Sequence, residues 1–306
     1  MSLALIIPDR KLDNLIERLE KLLPDVEIAV WPEVKAPEKV TFAVVWKQPA
    51  GSLTAFTQLK AVQCFGAGVD AILSDRQLPN VPVARIVDPD LTQTMVRYMD
   101  GVVGYYRLRL DQFSVQQQHA QWKPKSPRKL DTVCVLGLGE LGAAVARHFA
   151  LAGCQVHGWS RTPKQVEGVL SHVGWNGLSS AISDADVIIC LLPLTASTEN
   201  LLNADFFSKT KPGAILINAA RGAIVEDNAL INALGSGQLQ AACLDVFRHE
   251  PLPEEHPFWH NPAILITPHV SAVTNVATAT AQIAENYKRS LHNEPLLNPV
   301  DVQRGY

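Results

Sequence analysis

The segment Val133-Cys-Val-Leu-Gly137-Leu-Gly139-Glu-Leu-Gly142 decides the fold of this chain. An apolar run typical of a buried strand leads into the pattern Gly-x-Gly-x-x-Gly, and an apolar helical pattern follows it. Gly137 permits the tight turn, Gly139 lets the backbone approach a pyrophosphate, and Gly142 lets the helix pack closely on the strand. The segment therefore predicts a strand–turn–helix unit that binds a dinucleotide.

Around this turn, short apolar runs alternate with amphipathic helical patterns. The helical patterns cover about residues 140–151, 178–183 and 226–234. The predicted strands are Thr132–Gly137, Gln155–Trp159, Val187–Leu192, Ala214–Asn218, Ala241–Asp245 and Ile264–Thr267. Six strands with intervening helices predict a Rossmann-type, doubly wound parallel sheet with helices on both faces.

A second α/β pattern precedes this one, with strand-like runs that begin near residues 3, 26, 40, 61 and 83. A long helix is predicted from Pro89 to the Gln-rich segment at 116–121. The polar, proline-interrupted segment Lys123–Lys129 predicts a solvated surface linker. A helix at 274–293 is expected to pack back on the first domain. We therefore expect one domain of residues 1–93 and 275–306, and a second of residues 94–274.

Composition excludes several classes of protein. The chain has 306 residues, of which 47% are hydrophobic and 19% charged, which predicts a folded protein of about two domains. With 27 basic and 30 acidic residues, it has no strong positive field for nucleic acid. No apolar run reaches the length of about 20 residues that a membrane span needs, and we expect no signal peptide, because Pro8 and Asp9 interrupt the first apolar run. Five cysteines without paired spacing indicate a cytoplasmic protein.

The residues at the predicted phosphate site distinguish between the two nicotinamide cofactors. The backbone N–H groups of Glu140 and Leu141 lie at a helix N-terminus, where phosphates bind. NAD sites place an acidic residue at the end of the next strand, where it would repel a 2′-phosphate. This chain has Ser160 and Arg161 there, a hydroxyl and a guanidinium suited to phosphate. The sequence predicts NADPH, with NADH as the less favoured alternative.

Three polar residues, Arg221, Glu250 and His269, follow predicted strands of the second domain. The carboxyl ends of parallel strands line the ligand crevice of such a sheet, so these side chains can meet there. Arginine can hold a substrate carboxylate bidentately, and histidine can give a proton to a carbonyl oxygen that receives a hydride. A carboxylate on the other ring nitrogen orients the imidazole. The set predicts reduction of a 2-keto acid.

Five strings together resemble the D-isomer-specific 2-hydroxyacid dehydrogenases, and the resemblance covers nearly the whole chain. They are Gly137-Leu-Gly-Glu-Leu-Gly142, Asn218-Ala-Ala-Arg-Gly222, Leu244-Asp-Val-Phe, Glu250-Pro-Leu-Pro253 and Thr267-Pro-His269. Within the family the chain looks most like the bacterial glyoxylate/hydroxypyruvate reductase A branch. Features typical of that branch include Trp159-Ser-Arg161 and the terminal Arg304-Gly-Tyr306. Glu140 departs from the family, many members of which have a basic residue there.

The resemblance implies a smaller flavodoxin-like substrate domain, a homodimer and specific roles for residues. Arg221 would bind the substrate carboxylate, and Glu250 would orient the proton donor His269. The backbone N–H groups of Ala67 and Gly68 would also hold that carboxylate. Trp46 would form a wall of the substrate pocket, although a buried aromatic residue at a strand end is an equal alternative. The implied cofactor contacts beyond the glycine turn are Pro193, Ala219 and Asp245, the last with the nicotinamide carboxamide.

The expected activity is NADPH-dependent reduction of glyoxylate to glycolate and of hydroxypyruvate to D-glycerate. Two alternatives remain. One is a dehydrogenase-like protein that binds NAD(H) as a sensor, and the other is a related dehydrogenase such as a phosphoglycerate dehydrogenase. A metal site built from His249, His256 and His260 is disfavoured, because Pro257 and Pro262 oppose a regular helix through them. We therefore expect no metal.

Overall fold

The computed structural model describes residues 2–8 and 10–305, so Tyr306 of the terminal string lies outside the described residues. The chain divides into two units. The first is Met1–Leu91 with Thr274–Tyr306, and the second is Thr92–Val273.

The strands and helices are numbered in chain order. The strands are β1 Ser2–Ile6, β2 Glu27–Val30, β3 Val40–Val45, β4 Ala61–Cys64, β5 Val83–Ala84, β6 Thr132–Leu136, β7 Gln155–Ser160, β8 Val169–Val173, β9 Val187–Cys190, β10 Ala214–Asn218, β11 Leu239–Leu244 and β12 Ile264–Ile266. The helices are α1 Asp13–Leu22, α2 Asp70–Leu73, α3 Pro89–Arg107, α4 Leu110–Gln118, α5 Glu140–Leu151, α6 Gly174–Ile182, α7 Ala204–Ser208, α8 Asp227–Gly235 and α9 Val276–Leu291.

The first unit contains a parallel sheet of order β2-β1-β3-β4-β5, which is the flavodoxin-like arrangement. Every residue of β1 and β3 is buried, as expected for a parallel sheet covered on both faces. Leu15 and Leu19 of α1 and Ile283 and Tyr287 of α9 belong to the apolar cluster on one face. The strand order reverses between β1 and β3, and in open α/β sheets ligands bind outside the strand ends at such a point.

The second unit contains a seven-stranded parallel sheet of order β12-β11-β10-β9-β6-β7-β8. This is a doubly wound Rossmann-type sheet, so the predicted fold class is confirmed. Its order reverses between β6 and β9, which places the glycine-rich turn after β6 at the switch point. The predicted number of six strands is wrong, because the sheet also contains β8. This edge strand pairs only with β7 and has no buried residue, so it lacks the apolar run of a central strand.

The region after Pro89 also differs from the prediction. The long helix is two helices, because Arg109 adopts a left-handed conformation, with φ of 59°, between α3 and α4. The predicted linker is not solvated throughout. Arg128 is 7% exposed and forms a bidentate ion pair with Asp111, with N···O distances of 2.8 and 2.7 Å. In the described part of the chain, no helix has the length and apolarity needed to cross a membrane.

Candidate functional site

The three glycines of the turn after β6 occupy three different environments. Gly137 has φ of +99°, and a Cβ atom there would lie 2.8 Å from the carbonyl oxygen of Leu191. A Cβ atom at Gly142 would lie 1.7 Å from the carbonyl oxygen of Gly137, so only glycine lets α5 pack this closely on the turn. Gly139, by contrast, has no atom within 4 Å of an added Cβ. The turn therefore leaves open space over its middle glycine, which suits the close approach of a ligand.

The exposed beginning of α5 is the predicted phosphate site. Gly139 caps the helix, and both it and Glu140 are exposed, whereas Leu141 is half-buried. Backbone N–H groups in the first turn of a helix lack partners within the helix and favour anions. The Glu140 carboxylate is at the same end of the helix, where it interacts favourably with the helix dipole but would repel a phosphate. The backbone, rather than a cationic side chain, is thus the available phosphate-binding group of this turn.

The end of β7 carries the residues predicted to distinguish the cofactors. Ser160 is buried, and its hydroxyl donates a hydrogen bond to the carbonyl oxygen of Thr162 at 2.8 Å. The Ser160 proton is thus already used within the loop. Arg161 follows it and is exposed. Arg161 is therefore the stronger candidate for a 2′-phosphate, with Ser160 shaping the loop that presents it.

The loops after β9 and β10 are held by short polar side chains. Thr198 donates to the carbonyl oxygen of Pro193 at 2.7 Å and accepts from the N–H of Thr195. Asn218, at the end of β10, accepts from the N–H of Ala220 and donates to the carbonyl oxygen of Arg221. These side-chain hydrogen bonds thus fix the backbone of both loops where they leave their strands. Ala219, the other cofactor candidate here, is buried.

Gly222 brings the loop of Arg221 against the loop that follows β11. A Cβ atom at Gly222 would lie 1.9 Å from the carbonyl carbon of Phe247 and 2.3 Å from the nitrogen of Arg248. The two backbones are therefore in direct contact, which only glycine permits. Glu250 lies in the same second loop, so the tertiary structure brings two of the three predicted reacting residues onto touching loops.

His269 and Glu250 form a hydrogen-bonded pair. Nδ1 of His269 lies 2.9 Å from Oε2 of Glu250, with the two side chains 33% and 22% exposed. Oε1 of Glu250 accepts from the N–H of Phe247, which fixes the carboxylate. Because Glu250 occupies Nδ1, Nε2 is the ring nitrogen left to exchange a proton with another molecule. The pair has the geometry of an oriented general acid.

Asp245 lies at the end of β11 and is fully buried. Its Oδ1 accepts from the Thr267 hydroxyl at 2.6 Å and from the N–H of Val270, and its Oδ2 accepts from the N–H of Ser271. The structure thus engages both carboxylate oxygens with the loop that carries His269. The nicotinamide contact suggested for Asp245 stays a prediction, whereas its contacts with the His269 loop are direct.

The substrate candidates of the first unit lie at the ends of β3 and β4. Trp46 follows β3, and its ring passes over Gly66, where a Cβ atom would lie 2.2 Å from the indole. Ala67 and Gly68 follow in the same loop and are half-buried. The Arg10 guanidinium lies 5.3 Å from the Trp46 ring centre and 5.7 Å from that of Phe65. Partial burial lowers the pKa of Arg10 from its very high ordinary value, and the group stays charged. The guanidinium of Arg10 therefore lies over the Trp46 ring, which makes the surroundings of this loop more polar than its sequence indicates.

Sequence reasoning missed Arg10 and Tyr98, which lie in no pattern that predicts their contacts. Thr267 belongs to the string Thr267-Pro-His269, but that string does not indicate its contacts with Tyr98 and Asp245. Gly222 could have been found, because it follows the candidate Arg221 directly. The histidines after Glu250 form no metal site with three or more ligands among the described residues. His256 instead packs edge-on against Phe258 and accepts from its backbone N–H.

Comparison with known proteins shows the family to which this chain is similar. A family model described as D-isomer specific 2-hydroxyacid dehydrogenase, NAD binding domain, matches residues 105–271. The glyoxylate/hydroxypyruvate reductase A of Yersinia enterocolitica is 39% identical over 296 residues, which cover 94% of each chain. The protein of that name from Serratia proteamaculans is 38% identical, with 100% of both chains covered.

Two solved structures are similar over the whole chain. One is a D-isomer specific 2-hydroxyacid dehydrogenase from Xanthobacter autotrophicus Py2 in complex with NADPH and MES. It has a TM-score of 0.95 and 38% identity, and the match covers 100% of this chain and 99% of that one. The other is an NADPH-dependent glyoxylate/hydroxypyruvate reductase from Sinorhizobium meliloti in complex with NADP and sulfate. It has a TM-score of 0.92 and 30% identity, with both chains fully covered.

Proposed function

Since this chain belongs to the D-isomer specific 2-hydroxyacid dehydrogenase family, we propose that it reduces small 2-keto acids with NADPH, converting glyoxylate to glycolate and hydroxypyruvate to D-glycerate. The observation that carries the proposal is the His269–Glu250 pair, with Nδ1 2.9 Å from Oε2. The relatives that cover nearly the whole chain and bear the name glyoxylate/hydroxypyruvate reductase A support the choice of substrate.

The reaction needs a hydride on the keto carbon and a proton on the keto oxygen. NADPH supplies the hydride when it is bound. Nε2 of His269 gives its proton to the oxygen, and the ionised Glu250 stabilises the imidazolium from which that proton leaves. Arg221 binds the substrate carboxylate and so sets the direction from which the carbonyl meets His269.

The residues of the second unit suit the proposed cofactor. The open space over Gly139 and the exposed first turn of α5 fit a pyrophosphate, with Gly137, Glu140, Leu141 and Gly142 forming the backbone of that turn. The exposed Arg161 fits the 2′-phosphate of NADPH, and the absence of an acidic residue at the end of β7 disfavours the 2′-hydroxyl of NADH. Pro193, Ala219 and Asp245 are further proposed contacts.

In the first unit we assign substrate binding to Trp46, Ala67 and Gly68. The N–H groups of Ala67 and Gly68 would donate to the carboxylate, and Trp46 would form a wall beside them. The Arg10 cation on the indole ring supports this assignment, because it adds positive potential beside an aromatic surface that would otherwise suit a small anion poorly. We accordingly propose residues 1–93 and 275–306 as the substrate domain and 94–274 as the cofactor domain.

We further propose that the protein is a cytoplasmic homodimer. The segment from Leu108 to Trp122 exposes Leu108, Leu110, Val115 and Trp122, the last at 96% exposure. Four exposed apolar side chains within one short segment favour burial against a second copy. Sedimentation of the wild type and of Trp122→Ser measures this directly, and a wild-type monomer at micromolar concentration would refute it.

Steady-state kinetics test the proposed activity. We expect turnover of glyoxylate and hydroxypyruvate with NADPH, chiral analysis giving D-glycerate, and a loss of about 10²–10⁴-fold in His269→Ala. Tight NADPH binding without turnover of any keto acid would favour the alternative of a cofactor-sensing protein. A preference for 3-phosphohydroxypyruvate would favour a phosphoglycerate dehydrogenase.

A further inference from the structure

A chain of hydrogen bonds inside the second unit ends on the carboxylate of Asp245. The hydroxyl of Tyr98, on α3, lies 2.7 Å from Oγ1 of Thr267 and 3.4 Å from Sγ of Cys243. Thr267 in turn donates to Oδ1 of Asp245 at 2.6 Å. Tyr98 and Thr267 are 169 positions apart in sequence, so the fold alone creates this contact.

The direction of donation along this chain follows from its two ends. Asp245 as a carboxylate can only accept hydrogen bonds, so the Thr267 hydroxyl donates a hydrogen bond to Asp245. The oxygen of that hydroxyl in turn accepts a hydrogen bond from Tyr98. Burial raises the pKa of the Tyr98 phenol well above its ordinary value, and it raises the pKa of Cys243 to about 11. Both groups therefore keep their protons, and the Cys243 thiol can donate to the Tyr98 oxygen. Successive donors of this kind strengthen one another in a buried site.

Asp245, the acceptor at the end of this chain, also holds the backbone of the His269 loop. Its carbonyl oxygen accepts from the N–H of His269 at 2.8 Å. Its side chain accepts from the N–H groups of Val270 and Ser271, each at 2.9 Å. His269 itself has φ of 55°, a left-handed conformation that is uncommon for non-glycine residues and persists where the surrounding structure supports it. The orientation of the imidazole toward Glu250 thus depends on how firmly Asp245 is fixed.

We propose that Tyr98 and Thr267 are positioning residues for the proton donor. Acting through Asp245, they hold His269 in its left-handed conformation with Nδ1 against Glu250 and Nε2 available to the substrate. This inference rests on the proposed function for its effect on turnover, whereas its effect on the His269 loop does not depend on any substrate.

The test compares four variants with the wild type. Tyr98→Phe removes the phenol donor, and Thr267→Val removes the middle hydroxyl at nearly constant volume. Thr267→Ser keeps that hydroxyl and serves as the rescue. Tyr106→Phe is the matched control, because Tyr106 also lies on α3 and donates a buried hydrogen bond, to the carbonyl oxygen of Ala242, outside this chain of residues.

We expect Thr267→Val to lower kcat for glyoxylate about 10²-fold and Tyr98→Phe about 10-fold, because a displacement near 1 Å at a reacting group costs about 10²-fold. The KM for NADPH should change less than about twofold, whereas Thr267→Ser and Tyr106→Phe should keep kcat within about threefold. Hydrogen exchange of the Val270 and Ser271 amides should be faster in Thr267→Val and unchanged in Tyr106→Phe.

Equal losses of kcat in Tyr98→Phe and Tyr106→Phe would overturn the proposal, because they would indicate loss of stability alone. Unchanged amide exchange in Thr267→Val would overturn it as well. If the wild type reduces no keto acid but Thr267→Val still accelerates the exchange of these amides, the proposed function fails and the positioning role stands.

Discussion

Gly222→Ala should separate the loop of Arg221 from the loop of Glu250. The added Cβ would lie 1.9 Å from the carbonyl carbon of Phe247, 2.3 Å from the nitrogen of Arg248 and 2.4 Å from Cα of Phe247. All three atoms are backbone, so no side chain can rotate away. Because ordinary contact begins near 3.4 Å, the loops must move apart by about 1.5 Å.

The size of this displacement sets the expected effects on stability and rate. Overpacking typically lowers the free energy of unfolding by about 1–3 kcal/mol. Because two backbones clash here, we expect a loss of about 3 kcal/mol in this variant. For a unit of this size that corresponds to a fall in Tm of about 6–12 °C. A displacement above about 1 Å between groups that act on one substrate should lower kcat/KM for glyoxylate by about 10²-fold or more.

The assay measures kcat/KM for glyoxylate, NADPH binding by fluorescence and Tm. NADPH affinity should persist, because the glycine turn after β6 is untouched. Gly235→Ala is the matched control, since Gly235 ends α8 and has no atom within 4 Å of an added Cβ. It should keep full activity and gain about 0.4–1 kcal/mol in stability. A Gly222→Ala enzyme with kcat/KM within twofold of the wild type would refute the argument that this contact aligns the two loops.

Four further variants test separate groups. Arg161→Ala should weaken NADPH binding much more than NADH binding, since only NADPH has the 2′-phosphate, and equal losses in the two dissociation constants would exclude this role. Arg221→Gln should lower kcat/KM for glyoxylate about 10- to 100-fold, the effect of losing a charged hydrogen bond of about 1.5–3 kcal/mol, and a folded variant within twofold of the wild type would contradict it. Glu250→Gln should lower kcat/KM for glyoxylate about 10-fold or more, because the carboxylate 2.9 Å from Nδ1 orients the imidazole and stabilises its positive charge; a folded variant within twofold of the wild type would show that the pair is not coupled. Burial, with a smaller effect of the neighbouring His157, lowers the pKa of His172. Below about pH 6.5 the unfolded chain therefore binds more protons than the folded chain, and the folded state loses stability as the pH falls. His172→Gln should reduce the fall in Tm between pH 7.5 and 5.5, and the same dependence of Tm on pH in the variant and the wild type would contradict this.

Much of the fold could be predicted from sequence because its signals are local. The glycine spacing from Gly137 to Gly142 and the short apolar strands of two alternating series predict two parallel α/β sheets without any knowledge of contacts. The candidate set Arg221, Glu250 and His269 could also be proposed from sequence, because each residue follows a predicted strand and parallel strands end at one edge. In each case the pattern that supports the prediction, such as a turn or the period of a helix or strand, spans only a few residues.

Only the tertiary structure decided the features that depend on distant partners. Arg128 reads as part of a polar linker, yet it is buried because Asp111 on α4 neutralises it. The strand β8 is half-exposed and is identified by its pairing with β7 rather than by its own residues. Tyr98 and Thr267 meet across 169 positions, and the string Thr267-Pro-His269 does not indicate that contact. The free energies of burial and pairing depend on contacts between residues that only the completed fold brings together. The sequence could therefore indicate the candidate reacting groups but not what holds them in place.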